Sequence, residues 1–109
     1  RVTLLGDAAH PTLQSYAQGA CMAIEDAVCL GELIELSGGD FVQAFQRYEA
    51  ERCVRTARVQ LESRLLWDVY HAEGLARDAL WQVLSERNES DVYQCLAWLY
   101  DGVALPKSV

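Results

Sequence analysis

The sequence predicts a mostly α-helical fold, with one N-terminal strand followed by about four helices. Three observations predict it. Residues 2–5 form a β-branched and aliphatic run that stops at Gly6 and Asp7. Apolar residues recur at helical spacing from Gly19 to Leu36. Further helical patterns follow, broken at Gly74 and again at a polar segment spanning residues 85–91.

Val2, Thr3, Leu4 and Leu5 read as a buried strand ending in a turn. Residues 6–18 (GDAAHPTLQSYAQ) have no clean period and hold Pro11, which is the pattern of a loop. In the next helix Ala20, Ala23, Ile24, Ala27, Val28 and Leu30, with Leu33, Ile34 and Leu36 beyond, cover most of the circumference. That predicts a largely buried helix. Ser37, Gly38 and Gly39 end it, since glycine takes the left-handed backbone favoured at a helix C-terminus.

Asp40 is a good N-cap, and Gln43 three residues on completes a capping-box pattern. The following helix runs from residue 41 to about residue 72, but its apolar stripe shifts. Phe41, Phe45 and Tyr48 share one face, whereas Val54, Ala57, Leu61, Leu65 and Val69 share another. The shift falls at Glu49, Ala50, Glu51 and Arg52, which predicts a bend or a change of packing partner. Residues 75–84 and 92–99 form two shorter helices, and the tail 101–109, with Gly102 and Pro106, is irregular. A lone strand cannot pair with itself. Residues 2–5 are therefore expected to belong to a sheet whose other strands lie elsewhere. With the missing initiator methionine, this points to a fragment of a larger protein.

Composition sets outer bounds. Hydrophobic residues make up 51% and charged residues 23%, the balance of a globular domain. A net charge of -7 argues against nucleic acid as a partner, because a phosphate backbone calls for a basic surface. No apolar run is long enough to span a membrane, and no signal peptide is visible. Cys21, Cys29, Cys53 and Cys95 form no C-x-x-C pair and no histidine sits at metal-finger spacing, so no metal site is expected. Their apolar neighbours predict buried free thiols in a reducing cytosol, hence a cytoplasmic protein.

The chemistry concentrates in residues 6–20. A carboxylate at the C-terminal end of a buried strand stands where open α/β sheets bind ligands, and it can accept hydrogen bonds from ribose or ribityl hydroxyls. Gly6 allows close approach of the backbone. A helix starting at Gly19 offers unpaired N–H groups and the positive end of its dipole. Together they describe a site for a polar cofactor with an electron-accepting end. Each piece alone reads blandly: Gly-Asp as a turn, Gly19 as a loop–helix junction, His10 as a loop-packing residue. The signal lies in their order.

The stretch GDAAHPTLQSYAQGACMAIEDAVCLGEL resembles the second FAD-binding motif of the class A FAD-dependent aromatic hydroxylases, the para-hydroxybenzoate hydroxylase superfamily. Its LQ-x-x-AQGACMA-x-EDA wording is most similar to the branch of salicylate hydroxylase and 3-hydroxybenzoate 6-hydroxylase. RYEAERCVRTARVQLESR and CLAWLYDG resemble the C-terminal helices of that branch. The resemblance implies a parent fold of the α/β, FAD/NAD(P)-binding, Rossmann-like kind. Residues 1–109 would be the C-terminal part of its FAD-binding monooxygenase domain, with 1–36 the second flavin-binding motif and its helix, and 37–109 the C-terminal helices.

Residue by residue, the resemblance implies that Asp7 bonds a ribityl hydroxyl of FAD, with Gly6 giving it room. It places Pro11 near the flavin ring, its backbone close to where dioxygen reacts. Gln18, Gly19 and Ala20 would aim N–H groups at the flavin's pyrimidine edge, where negative charge gathers on reduction. Gln14 would face the substrate pocket and bond the phenol, so Gln14 and Pro11 are the candidate catalytic residues. Glu25 and Asp26 read as structural, pairing with loops or basic residues. Arg47, Arg52, Arg55, Arg58 and Arg64 alternate with Glu49, Glu51 and Glu62 and read as solvated or interfacial salt bridges. Val54 stands where relatives often carry a proline, which weakens the case for a bend. Trp67, Trp81 and Trp98, with Tyr70 and Tyr93, read as packing residues.

The implied activity is hydroxylation of a small aromatic acid, 3-hydroxybenzoate-like, with FAD, NAD(P)H and dioxygen, through a flavin hydroperoxide. The implied partner is that small aromatic acid, and a homodimer of the full-length protein is compatible with the resemblance. The chain has no G-x-G-x-x-G turn for the FAD pyrophosphate. This stretch alone is therefore expected to be inactive. The rival readings are a salicylate hydroxylase-type decarboxylating monooxygenase, an epoxidase- or halogenase-like flavoenzyme, and a non-catalytic helical interaction module.

Overall fold

A computed structural model describes residues 2–101. In chain order it holds two single 3₁₀ turns, Gly6–Ala8 and Gln14–Tyr16, and then four helices: α1 (Gly19–Leu36), α2 (Phe41–Tyr70), α3 (Gly74–Ser85) and α4 (Glu89–Tyr100). The mostly helical class and the helix count are as predicted. The strand is not. Residues 2–5 carry no strand: Leu5 has extended dihedrals (φ -127°, ψ 151°), but no partner strand exists among the described residues to bond it. Val2 and Leu4, expected to be buried, are exposed for the same reason. Of the expected irregular tail, residues 102–109 lie outside the described residues.

The described residues divide within α2 into two compact units, residues 2–67 and residues 68–101. In the first, α1 ends where the glycines predict. Gly38 and Gly39 adopt φ of 59° and 85°, and the Gly39 amide reaches the Ile34 carbonyl at 3.1 Å while the Gly38 amide reaches Glu35 at 3.0 Å. These two bonds form a Schellman motif that satisfies carbonyls the helix end would leave bare. Asp40 then caps α2, its Oδ1 accepting from the amides of Val42 and Gln43 at 3.0 and 3.2 Å.

α1 is not largely buried. Only the stripe Met22, Asp26, Cys29 and Leu33 is fully buried, while Ile24, Val28 and Leu36 stay exposed. Cys29 and Leu33 pack with Ala44 and Tyr48 of α2 into a small core, joined by Leu5, Leu30 and Ile34. Burying a leucine such as Leu33 contributes about 1.5–3 kcal/mol.

α2 runs unbroken through Glu49–Arg52. Its buried line is Ala44, Tyr48, Arg52, Thr56, Val59 and Ser63, a single face at steps of three and four residues. Val54, Leu61 and Leu65, which the apolar pattern marks as a packing face, are exposed on the opposite side. Polar side chains occupy the buried face because each meets a partner there.

In the second unit α4 starts with a full capping box, Asn88 Oδ1 accepting from the Asp91 amide and Asp91 Oδ2 from the Asn88 amide, both at 3.0 Å. Leu99 is the one buried residue of α3 and α4. Of the aromatic residues expected to pack, Trp67, Tyr70, Trp81 and Tyr93 are exposed and Trp98 is half-buried; two twelve-residue helices are too few elements to enclose the rings they carry. All four cysteines are free, but Cys21, Cys53 and Cys95 are exposed and only Cys29 is buried. Apolar sequence neighbours did not decide burial here, because on a helix adjacent residues face different sides.

Candidate functional site

The site is built on a turn and a helix start that lie against each other. Gly6 takes a left-handed φ of 55°, and its carbonyl accepts from the amides of Ala9 and His10, both at 2.9 Å. A Cβ at Gly6 would stand 3.2 Å from Ala23 Cβ, so the turn rests directly on α1. Asp7 is the next residue, exposed, and its carboxylate has no hydrogen-bond partner among the described residues. A Cβ at Gly19 would come within 3.2 Å of Thr12 Oγ1 and 3.8 Å of Asp7 Oδ1. The absence of a side chain at Gly19 is what lets these two polar groups crowd the helix start.

No side chain caps α1 and no acidic residue sits in its first turn. The positive end of an eighteen-residue helix is thus left facing outward. The chain enters it through Ala17, held left-handed at φ 52°, ψ 29°, a conformation costing an L-residue about 1–2 kcal/mol. Alanine carries no sequence signal for this, and the strained corner was not foreseen.

Around the helix start lies a cleft of about 650 Å³. It brings together five of the candidate residues, Asp7, Gln14, Gln18, Gly19 and Ala20, with Thr12, Leu13, Ala17 and Ala23 completing the wall. Gly6 is buried beneath it. Pro11 is exposed and does not line it; its carbonyl accepts from Gln60 Nε2 at 3.1 Å. A larger cavity of about 710 Å³, between residues 2–4 and α2, holds none of the candidate residues.

The loop carrying the site is stitched to α2 over one turn of helix. Ser15 Oγ donates to the Ser63 carbonyl at 2.6 Å, Tyr16 OH to Glu62 at 2.7 Å, and the Leu13 amide to Ser63 Oγ at 3.4 Å. Beneath the turn, Asp26 is fully buried and is the centre of a charged network. It accepts from the Gly6 amide at 3.0 Å, from His10 Nε2 at 2.5 Å and from Arg52 Nε at 2.7 Å. Arg52 also pairs with Glu25 at 2.8 Å, and Arg55 grips Glu25 with two nitrogens at 2.7 Å each. Burial pushes both carboxyls upward, but the opposing bonds prevail. The Gly6 amide, Arg52 and His10 hold Asp26 below the usual carboxylate range, and Arg55 and Arg52 do the same for Glu25. Burial, followed by the Asp26 charge, pushes the Tyr48 phenol well above its ordinary value.

The structural pairing expected of Glu25 and Asp26 is present. Among the arginines, Arg58 makes the expected exposed bridge to Glu62, but Arg52 is buried rather than solvated. The missed signal was available: Arg52, Thr56 and Ser63 fall on one helical face, opposite the apolar stripe. No group of His, Cys, Asp or Glu that could hold a metal occurs among the described residues, and none of their helices is long and apolar enough to cross a membrane.

No family model matches the chain. Curated relatives do. It is 50% identical over 103 residues to the 3-hydroxybenzoate 6-hydroxylase of Polaromonas naphthalenivorans, covering 92% of this chain and 25% of that protein. It is 48% identical over 103 residues to 3-hydroxybenzoate 6-hydroxylase 2 of Aquipseudomonas alcaligenes, covering 92% and 31%. The chain belongs to the aromatic hydroxylases. The likeness extends to the FAD-dependent urate hydroxylase of Klebsiella oxytoca, at 42% identity over 81 residues, which is 74% of the chain and 21% of that protein. The chain thus spans about a quarter to a third of the length of the 3-hydroxybenzoate hydroxylases it matches. The family read from the motif around Asp7 and Gly19 is the family to which these relatives belong.

Proposed function

We propose that this hydroxylase chain forms the flavin-edge half of the active site of an FAD- and NAD(P)H-dependent monooxygenase acting on a small aromatic acid of the 3-hydroxybenzoate kind. The observation that carries the reading is the meeting of Asp7, Gln14 and the residues Gln18, Gly19 and Ala20 around one cleft at the uncapped start of α1. A flavin fits this donor set. The exposed Asp7 carboxylate can only accept hydrogen bonds, which suits a ribityl hydroxyl. The outward helix amides suit the edge that gains negative charge on reduction. The bare Cα of Gly19 lets the Asp7 carboxylate stand beside the helix start, so that one ligand can meet both.

When bound, the flavin supplies the activated oxygen. The chain's residues bind and orient around it: Asp7 the sugar-alcohol chain, the α1 amides the ring edge, and Gln14 the phenol. Gln60 steadies Pro11 through its carbonyl. In this reading residues 1–36 are the flavin motif and residues 37–109 the helices that brace it, the pyrophosphate being held outside this chain. Four free thiols favour a reducing compartment, consistent with the cytoplasm.

The test uses the full-length protein. Supplied with FAD, NADH and 3-hydroxybenzoate, it is expected to release a product with one further ring hydroxyl at carbon 6, identified by mass and NMR spectra. Decarboxylation of salicylate with no turnover of 3-hydroxybenzoate would instead establish the salicylate-type reaction. Asp7→Ala is expected to raise the Kd for FAD about tenfold or more, the worth of one hydrogen bond to a charged group.

A further inference from the structure

We propose that Asp26 is the positioning residue for Asp7. The inference rests on the reading that Asp7 holds a flavin hydroxyl, and adds how its carboxylate is aimed. Asp26 lies on α1, two turns beyond the helix start, and touches nothing in the cleft. Yet one of its oxygens, Oδ2, takes both the Gly6 amide and the His10 ring. These are the two ends of the five-residue turn in which Asp7 is the second residue. The turn closes on itself through the Gly6 carbonyl, which accepts from Ala9 and His10. One buried oxygen therefore pins both ends of a closed loop, leaving Asp7 little freedom to swing.

The other oxygen, Oδ1, is bonded to Arg52 Nε, and Arg52 is in turn held by Glu25. This second arm keeps Asp26 charged and fixed while it is fully buried. A carboxylate can only accept, so His10 donates from Nε2. A carboxamide at position 26 would turn a donor either toward Arg52 Nε or toward both the Gly6 amide and the His10 Nε2–H, and at least one arm of the arrangement would be lost. The arrangement preorganises the cleft carboxylate from behind, at a distance from any ligand.

The experiment is a double-mutant cycle in the full-length protein, reading the Kd of the apoprotein for FAD by flavin-fluorescence quenching. Asp26→Asn is expected to weaken FAD about tenfold, and to add nothing further in an Asp7→Ala background. In the FAD-free protein it should speed amide hydrogen exchange at Gly6 and His10 at least tenfold. Leu33→Ala, a core truncation that leaves the turn alone, should lower the melting temperature and leave the FAD Kd within twofold. His10→Phe, which cuts one of the two pins and spares the Asp26–Arg52 pair, repeats the cycle should Asp26→Asn not fold, with the same non-additivity expected.

Losses that multiply across Asp26 and Asp7 would overturn the proposal, since they would mark Asp26 as merely structural. An unchanged Kd in both Asp26→Asn and His10→Phe, with Asp7→Ala impaired, would overturn it and leave the flavin reading standing. An unchanged Kd in Asp7→Ala would remove the flavin role of Asp7, and this proposal with it.

Discussion

Residues 2–67 and residues 68–101 are both helical, yet they hold their helices by different means. The first region has an apolar core around Leu33 and Tyr48, and beside it a network of buried Asp26, Arg52 and His10 with half-buried Glu25 and Arg55. In the second, Leu99 is the one buried residue of α3 and α4, and α4 starts with the Asn88–Asp91 capping box. Helical pattern alone does not tell the two apart. What marks the first is a set of side chains far apart in sequence that find one another: Asp26 with Arg52, Ser15 with Ser63, Tyr16 with Glu62. The site lies in that region.

The largest test of this contrast is to cut the network. Arg52→Ala would leave the fully buried Asp26 without its arginine, Glu25 keeping Arg55, and is expected to cost about 3–5 kcal/mol. Its counterpart in the second region is Arg77→Ala. That breaks an exposed bridge to Asp78 and should cost at most about 1 kcal/mol. Urea denaturation of the full-length variants reads both. Equal costs would mean that the buried network carries no more weight than a surface pair.

The same contrast explains what was legible in the sequence. The end of α1 and the start of α2 could be read because Gly38, Gly39 and Asp40 act through their own backbone and side chain, needing no distant partner. The order Gly-Asp, loop, glycine, helix was legible too, and the structure gathers Asp7 with Gln18, Gly19 and Ala20. Residues 2–5 failed as a strand because a strand is a property of a pair. The buried face of α2 was misassigned because hydrophobic periodicity assumes that burial follows apolarity. Arg52, Thr56 and Ser63 are buried through bonds to groups remote in sequence or one turn back along the helix, and no local window contains all of them. Ala17 could not be read at all, since its left-handed backbone is imposed by the turn before it and the helix after it.

Acid should break the same pairs reversibly. Asp26 and Glu25 both have folded pKa values held below those of the unfolded chain. Such groups add stability that is present in full above the unfolded values near 4 and is lost as pH falls through the folded ones. Between neutrality and about pH 5 stability should therefore change little from this source; further down, the first region should loosen. The second region holds no buried carboxylate among the described residues. Hydrogen exchange compared at pH 7 and at about pH 3.5, corrected for intrinsic rates, should show protection lost preferentially in α1 and the first turns of α2. Uniform loss across all four helices would argue that net charge, rather than this network, governs acid sensitivity.

The smallest expected effect is the sharpest comparison, because it applies one chemical change to both regions. Asp40 and Asn88 each cap a helix through a side-chain oxygen accepting from its first-turn amides. Replacing either with alanine should cost about 1 kcal/mol. The free energies match, but the consequences should not. α2 is anchored beyond its first turn by Ala44, Tyr48 and Arg52, so Asp40→Ala should fray residues 41–43 and leave exchange further along the helix unchanged. The one fully buried residue of α4 is Leu99, near its far end. There the loss of the cap removes a large part of what favours the helix, and Asn88→Ala should speed exchange along most of α4. If fraying in α4 stopped after one turn, as in α2, its helix would have to be held by contacts other than its cap and Leu99, and the division drawn between the two regions would fail.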